Sequence, residues 1–103
     1  MNLEEFQQIL ERHPIVVGYF STESCNVCKV LRPQVRQMVE EMGGAHFEYI
    51  DTEKSPMLRG QYLVFSVPTI IVFVEGRETK RFNRYLSLQE LQAYLQQMME
   101  MVA

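Results

Sequence analysis

The sequence predicts an α/β fold: a mixed four-stranded central sheet with helices on both faces. Three observations carry this. Ile15–Ser21 and Thr69–Val74 are apolar, β-branched runs of the length and composition of buried strands. Helical patterns separate the first three strand candidates, which implies right-handed crossovers and a parallel pair. Glu75-Gly76-Arg77 then has the composition of a hairpin turn between Thr69–Val74 and a strand over Lys80–Arg84, adding an antiparallel portion.

Each element has its own signal. Asn2 with Glu5 forms a capping box, Leu3, Phe6, Ile9 and Leu10 recur at helical spacing, and Pro14 is a stop. After strand Ile15–Ser21, Thr22–Asn26 is polar and turn-like. A helix is expected from about Cys25 to Met42, with Cys28, Leu31, Val35, Met38, Val39 and Met42 on its apolar face. Gly43-Gly44 ends it. Pro33 inside it removes the hydrogen bond to the Lys29 carbonyl and predicts a kink. Phe47–Asp51 is the second strand. Ser55-Pro56 starts a short helix to about Tyr62, with proline at its first position. Ser87 and Glu90 cap the last helix, whose inner face is Leu88, Leu91, Leu95, Met98 and Val102.

The length of 103 residues suits one domain over 1–103. Hydrophobic residues at 47% against 22% charged residues supply enough apolar surface for a core. A formal net charge of −3 offers no electrostatic footprint for nucleic acid or an anionic membrane. No run approaches the ~20 apolar residues that cross a bilayer. The N-terminal MNLEEFQQILERHP lacks a basic stretch followed by an apolar one, so the expected location is the cytoplasm.

The chemistry-bearing residues are Cys25 and Cys28, the two cysteines of the chain. They follow a buried strand and open a helix. A thiol attacks as thiolate, and a helix N-terminus stabilises negative sulfur through unpaired N–H groups and its positive dipole end. Lys29 would add to this if its side chain folded back, and Glu23 would oppose it. The offset of three residues brings both sulfurs to one helix end. One sulfur can then attack a disulfide and the other resolve the mixed disulfide. Cys28 falls on the apolar face, so Cys25 is assigned as nucleophile and Cys28 as resolving thiol. Half of a zinc site and two inert core thiols are the competing readings. A structural zinc site needs four ligands, and the remaining candidates, His13 and His46, are far apart in sequence and read as surface or strand-edge residues.

Further residues then give the chain a resemblance to the thioredoxin family over nearly its whole length. CNVCKVLRP is similar to the family's Cys-x-x-Cys, lysine, and kinking proline eight residues after the first cysteine. Tyr49-Ile50-Asp51, Ser66-Val67-Pro68-Thr69 and the Val72–Glu78 hairpin follow in family order. The resemblance implies a thioredoxin fold lacking its first strand, a cis peptide before Pro68, and substrate contacts at Ser24, Val67 and Pro68. The backbone of Val67 would pair with an extended substrate segment. There are departures. Ser24 stands where the family has tryptophan, and Asn26-Val27 where it has Gly-Pro. The buried family aspartate falls on Tyr19 and its lysine partner on Phe47, so a charge pair is replaced by aromatics. Tyrosine, with a reference pKa of ~10, is a poor base at neutral pH, so resolution is expected to be slower or served by water. A family glycine on the substrate surface falls on Arg84, making that surface more cationic.

Lys80, Arg81 and Arg84 read as solvated edge-strand charge, with an acidic protein partner as the secondary reading. Tyr62, Phe65 and Tyr85 are either core or an apolar docking patch near the cysteines. Met98, Met99 and Met101 read as packing at the C-terminal helix. The function expected first is thiol–disulfide oxidoreduction on disulfide-containing proteins. With no nucleotide or flavin motif and no cofactor or metal expected, electrons would come from a reductase or a small thiol. The alternatives are a non-catalytic adaptor with regulatory or vestigial cysteines, and a metal held between two chains.

Overall fold

The computed structural model describes residues 1–103. Its elements are α1 (Leu3–Arg12), β1 (Ile15–Ser21), α2 (Asn26–Met42), β2 (His46–Asp51), α3 (Pro56–Gln61), β3 (Thr69–Val74), β4 (Arg77–Phe82) and α4 (Leu88–Val102). The strands form one sheet in the order β2-β1-β3-β4. β1 pairs parallel with β2 and antiparallel with β3, and β3 pairs antiparallel with β4. This is the mixed four-stranded architecture expected from the sequence.

Alternation along the central strands divides the core in two. Ile15, Val17 and Tyr19 of β1 and Ile70 and Val72 of β3 join Cys28, Val35, Val39, Leu91, Leu95 and Met98 on the α2/α4 face. Val16, Phe20, Ile71 and Phe73 join Phe6, Leu10, Leu58 and Val64 on the α1/α3 face. Every residue of β1 is buried, as expected of a strand covered on both faces. Each large apolar side chain buried this way contributes about 1.5–3 kcal/mol. Gly18 is the one position of β1 without a side chain. A Cβ there would lie 3.0 Å from Phe20 Cε1 and 3.2 Å from Phe73 Cε2, so the aromatic rings occupy that space.

Local signals set the ends. The Asn2–Glu5 capping box is formed in both directions, and Ser87 Oγ accepts the Glu90 N–H. α2 runs through Pro33 without a break and stops at Gly43, which adopts the left-handed conformation. The last strand differs from its expected position. It starts at Arg77 and ends at Phe82, because Glu75 and Gly76, both with positive φ, make a tight two-residue turn. The register shifts beside Val72: Lys80 opposes Val72 while Glu78 opposes Phe73, leaving Thr79 as the extra residue. That bulge interrupts the alternation from which the strand would have been read.

The histidines, read as surface or strand-edge residues, are also brought together by the fold. His13 follows α1 and His46 opens β2, and their rings stack 4.1 Å apart at 8°. The register explains it: His46 pairs with Val16, three residues after His13. His46 Nε2 lies 2.9 Å from Glu48 Oε1. Burial, followed by the charges of His46 and Arg12, holds His13 below its ordinary pKa of 6.5, and Glu48 opposes this weakly. The folded chain therefore binds fewer protons here than the unfolded chain. Its stability is retained above pH 6.5 and falls as pH drops below that value. In thermal melts, His13→Gln is expected to lose less stability than wild type between pH 7 and pH 5. Parallel losses would contradict the pairing.

Candidate active site

The site is built where β1 hands over to α2. The Ser21 carbonyl at the end of β1 accepts from the Thr52 N–H (2.8 Å) and the Thr52 hydroxyl (3.2 Å). This ties the strand end to the loop after β2. The Cys25 N–H turns back to the Thr22 carbonyl at 3.3 Å, and the Thr22 and Ser24 hydroxyls lie 3.2 Å apart.

Cys25 is the N-cap of α2. Its backbone is extended, with φ −82° and ψ 109°, and its Sγ accepts the Cys28 N–H at 3.2 Å. Sulfur thus takes the place of the oxygen of a capping serine or aspartate. Cys25 and Cys28 are joined as a disulfide with their Cα atoms 5.2 Å apart, inside the range a disulfide spans. Cys28 is 2% exposed, whereas Cys25 is half-buried at the surface. The nearest turn of α2 presents no cation to the sulfurs beyond Lys29, whose side chain is exposed.

Sequence reading missed the clamp on the cysteine loop. The Tyr49 hydroxyl donates to Glu23 Oε1 at 3.0 Å, Arg32 Nη1 lies 3.6 Å from the same oxygen, and the Arg32 guanidinium sits 4.3 Å over the Tyr49 ring. Glu23 is thereby turned to β2 and α2, which takes up the carboxylate expected to oppose the thiolate. Burial and the Glu23 contact push Tyr49 up to about 12. Only the i to i+4 relation of Cys28 and Arg32 on α2 and the end of the strand could have signalled this.

Behind the cysteines, Tyr19 is fully buried and its hydroxyl donates to the Cys28 carbonyl at 3.1 Å. Its ring packs 6.0 Å from Phe47, so the two aromatics that replace the family's charge pair do meet. Burial pushes Tyr19 up to about 12. At neutral pH it is a hydrogen-bond donor and not a base.

Ser24 is exposed beside Cys25. The Val67–Pro68 peptide is cis, Pro68 is buried, and Val67 and Cys25 both pack against the α2/α4 core. The Thr69 hydroxyl donates to the Ser66 carbonyl at 2.6 Å. Arg81, expected to be free edge charge, instead pairs with Glu78 at 2.7 Å and donates to the Tyr62 (2.8 Å) and Leu63 (3.3 Å) carbonyls. It anchors the segment leading to Pro68. Tyr62 is core, edge-on to Phe6 and Phe73, while Phe65 and Tyr85 are exposed. No group of three or more His, Cys, Asp and Glu side chains is placed to hold a metal ion.

The chain matches the family model for thioredoxin over residues 1–97. It is 31% identical over 78 residues to a thioredoxin of Chlamydia trachomatis, covering 76% of each chain. It is 24% identical over 94 residues to a thioredoxin-like protein, YdfQ, of Bacillus subtilis, covering 91% of this chain and 84% of the relative. Among solved structures, mitochondrial thioredoxin 3 of Saccharomyces cerevisiae in its oxidised form superposes with a TM-score of 0.83 at 20% identity, over 93% of this chain and 90% of the other. A mutant thioredoxin of Halobacterium salinarum reaches 0.86 at 22% identity, over 93% and 84%.

Tyr19→Phe deletes one buried hydrogen bond and nothing else. It is expected to lower stability by about 1 kcal/mol in denaturant titrations. Because Tyr19 does not ionise near neutrality, the pH dependence of disulfide reduction between pH 6 and 9 should be unchanged. A shifted pH profile would make Tyr19 part of the proton transfer.

Proposed function

We propose that this chain, which belongs to the thioredoxin family and is a thiol–disulfide oxidoreductase, reduces disulfides in other proteins with Cys25 as nucleophile and Cys28 as resolving thiol. The observation that carries this reading is the Cys25 sulfur capping α2 at the surface while Cys28 lies buried one turn behind it.

In the reduced chain, the Cys25 thiolate attacks one sulfur of a substrate disulfide. The Cys25–substrate bond forms, the substrate bond breaks, and the departing substrate thiolate takes a proton from water. Cys28 then gives its proton to water and attacks the Cys25 sulfur. The mixed disulfide breaks, and the second substrate sulfur leaves as a thiolate and takes a proton from water. Two electrons pass to the substrate, both of its sulfurs draw their protons from water, and Cys25 and Cys28 end as the disulfide seen in the structure. A separate reductase or small thiol returns the electrons. Tyr19 holds the Cys28 carbonyl, and water accepts the resolving proton, since a tyrosine at about 12 cannot.

The direction follows from how little stabilises the thiolate. A strong oxidant needs its reduced form strongly stabilised. In the disulfide the Cys25 sulfur takes one N–H donor, and Lys29 is exposed. In this reading Ser24, Val67 and Pro68 contact the substrate, and the Val67 backbone is the partner for an extended substrate segment. Residues 1–103 act as one unit in the cytoplasm, where a reducing poise keeps such a pair turning over. No helix is long and apolar enough to cross a membrane.

Cys28→Ser is expected to leave substrates covalently trapped on Cys25. Adducts that disappear on adding dithiothreitol should be seen by non-reducing electrophoresis. Cys25→Ser should trap none and lose disulfide reduction, because the attacking thiolate is removed. Adducts mapped to Cys28 would reverse the assignment of roles.

A further inference from the structure

We propose that Arg84 makes the enzyme selective for disulfides whose cysteine is flanked by a carboxylate side chain; this rests on the oxidoreductase reading and names its substrate class. A cavity of about 460 Å³ opens beside the cysteines, lined by Asn26, Val27, Val30, Leu31, Gln34 and Arg84. Asn26 and Val27 are the two residues between Cys25 and Cys28, so any segment bonded to Cys25 lies next to this cavity. Val27 and Val30 are 44% and 66% exposed, an apolar floor open to a partner.

Arg84 is the one charged side chain of the lining. The ion pairs of the chain use Arg32, Arg36, His46 and Arg81, and none uses Arg84. Of the three basic residues around the last strand, Arg81 is bound to Glu78 and Lys80 lies 5.2 Å and 5.1 Å over the Phe82 and Tyr94 rings. Only Arg84 reaches the cysteine side. Its guanidinium sits 5.1 Å over the exposed Tyr85 ring, and Arg84 is itself exposed, so its N–H groups are open to a partner. Glu23, the carboxylate of the cysteine loop, is taken by Tyr49 and Arg32. A chain with a net charge of −3 therefore presents an unneutralised cation at the edge where substrate binds. The complementary occupant is an extended peptide with an apolar residue for Val27 and Val30 and an aspartate or glutamate for the guanidinium fork.

The test compares two disulfide-linked peptides that differ only in an aspartate or a lysine beside the cysteine. The wild-type chain is expected to reduce the acidic peptide with a kcat/KM about fivefold higher at low salt, the scale of one exposed ion pair. Raising ionic strength should compress that ratio. Arg84→Lys should retain the preference, Arg84→Gln should bring it near one, and Arg84→Glu should invert it. A merely structural role for Arg84 would not produce inversion. Equal rates in wild type, or a preference that survives Arg84→Glu, would overturn the inference. Uncharged hydroxyethyl disulfide separates the two readings. If wild type reduces it without peptide discrimination, only the Arg84 inference falls. If wild type reduces no disulfide, the oxidoreductase reading falls and takes this inference with it.

Discussion

The hydrogen bond from the Cys28 N–H to the Cys25 sulfur is both a structural and a chemical feature. As a cap, it satisfies one of the free donors that begin every helix. As an electrostatic contact, it puts partial positive charge against the atom that must carry a negative one. For the sulfur to stand there, β1 must end at Ser21, the loop must turn once, and α2 must start at Asn26. The Thr52 contacts fix the first of these, the Thr22 carbonyl the second, and the clamp of Tyr49 and Arg32 on Glu23 the third. Moving the start of α2 by one residue would take the sulfur off the cap and the buried Cys28 off the apolar face.

The rest of the fold holds that junction still. β1 is packed from both sides, and its alternation sends Tyr19 toward Cys28 and Phe20 toward Phe6. Where a family charge pair would sit, Tyr19 and Phe47 fill the space with aromatic surface, and the tyrosine keeps one polar contact for its hydroxyl. This arrangement avoids an uncompensated buried charge. Its chemical consequence is that Tyr19, which keeps its own proton at neutral pH, is not the base for the resolving thiol. In the proposed cycle that proton goes to water.

Much of this was legible in the residues. The capping box at Asn2, the Ser87 N-cap, the β-branched runs of β1 and β3, and the Gly43 stop are local signals, and each formed where it was read, although Ser87 makes only the first half of its expected box. The burial of Cys28 followed from helical periodicity. What stayed hidden depends on chain segments distant in sequence. The Thr79 bulge broke the alternation by which β4 would have been read. The stacking of His13 on His46 required the β1–β2 register. Arg81 resembled free edge charge until the fold brought the Tyr62 and Leu63 carbonyls to it. Glu23 likewise read as an opponent of the thiolate until Tyr49 came within reach of it.

A sulfur stabilised by one helix-capping N–H should form a reversible and reducing couple. The direct measurement is the equilibrium reduction potential of Cys25–Cys28 in dithiothreitol and glutathione buffers, read by mass shift after thiol alkylation. The expected result is an intramolecular disulfide with a potential near the value of about −270 mV for thioredoxin. A potential near about −120 mV, the range of a strong oxidant, or the absence of an intramolecular disulfide at every poise, would contradict it.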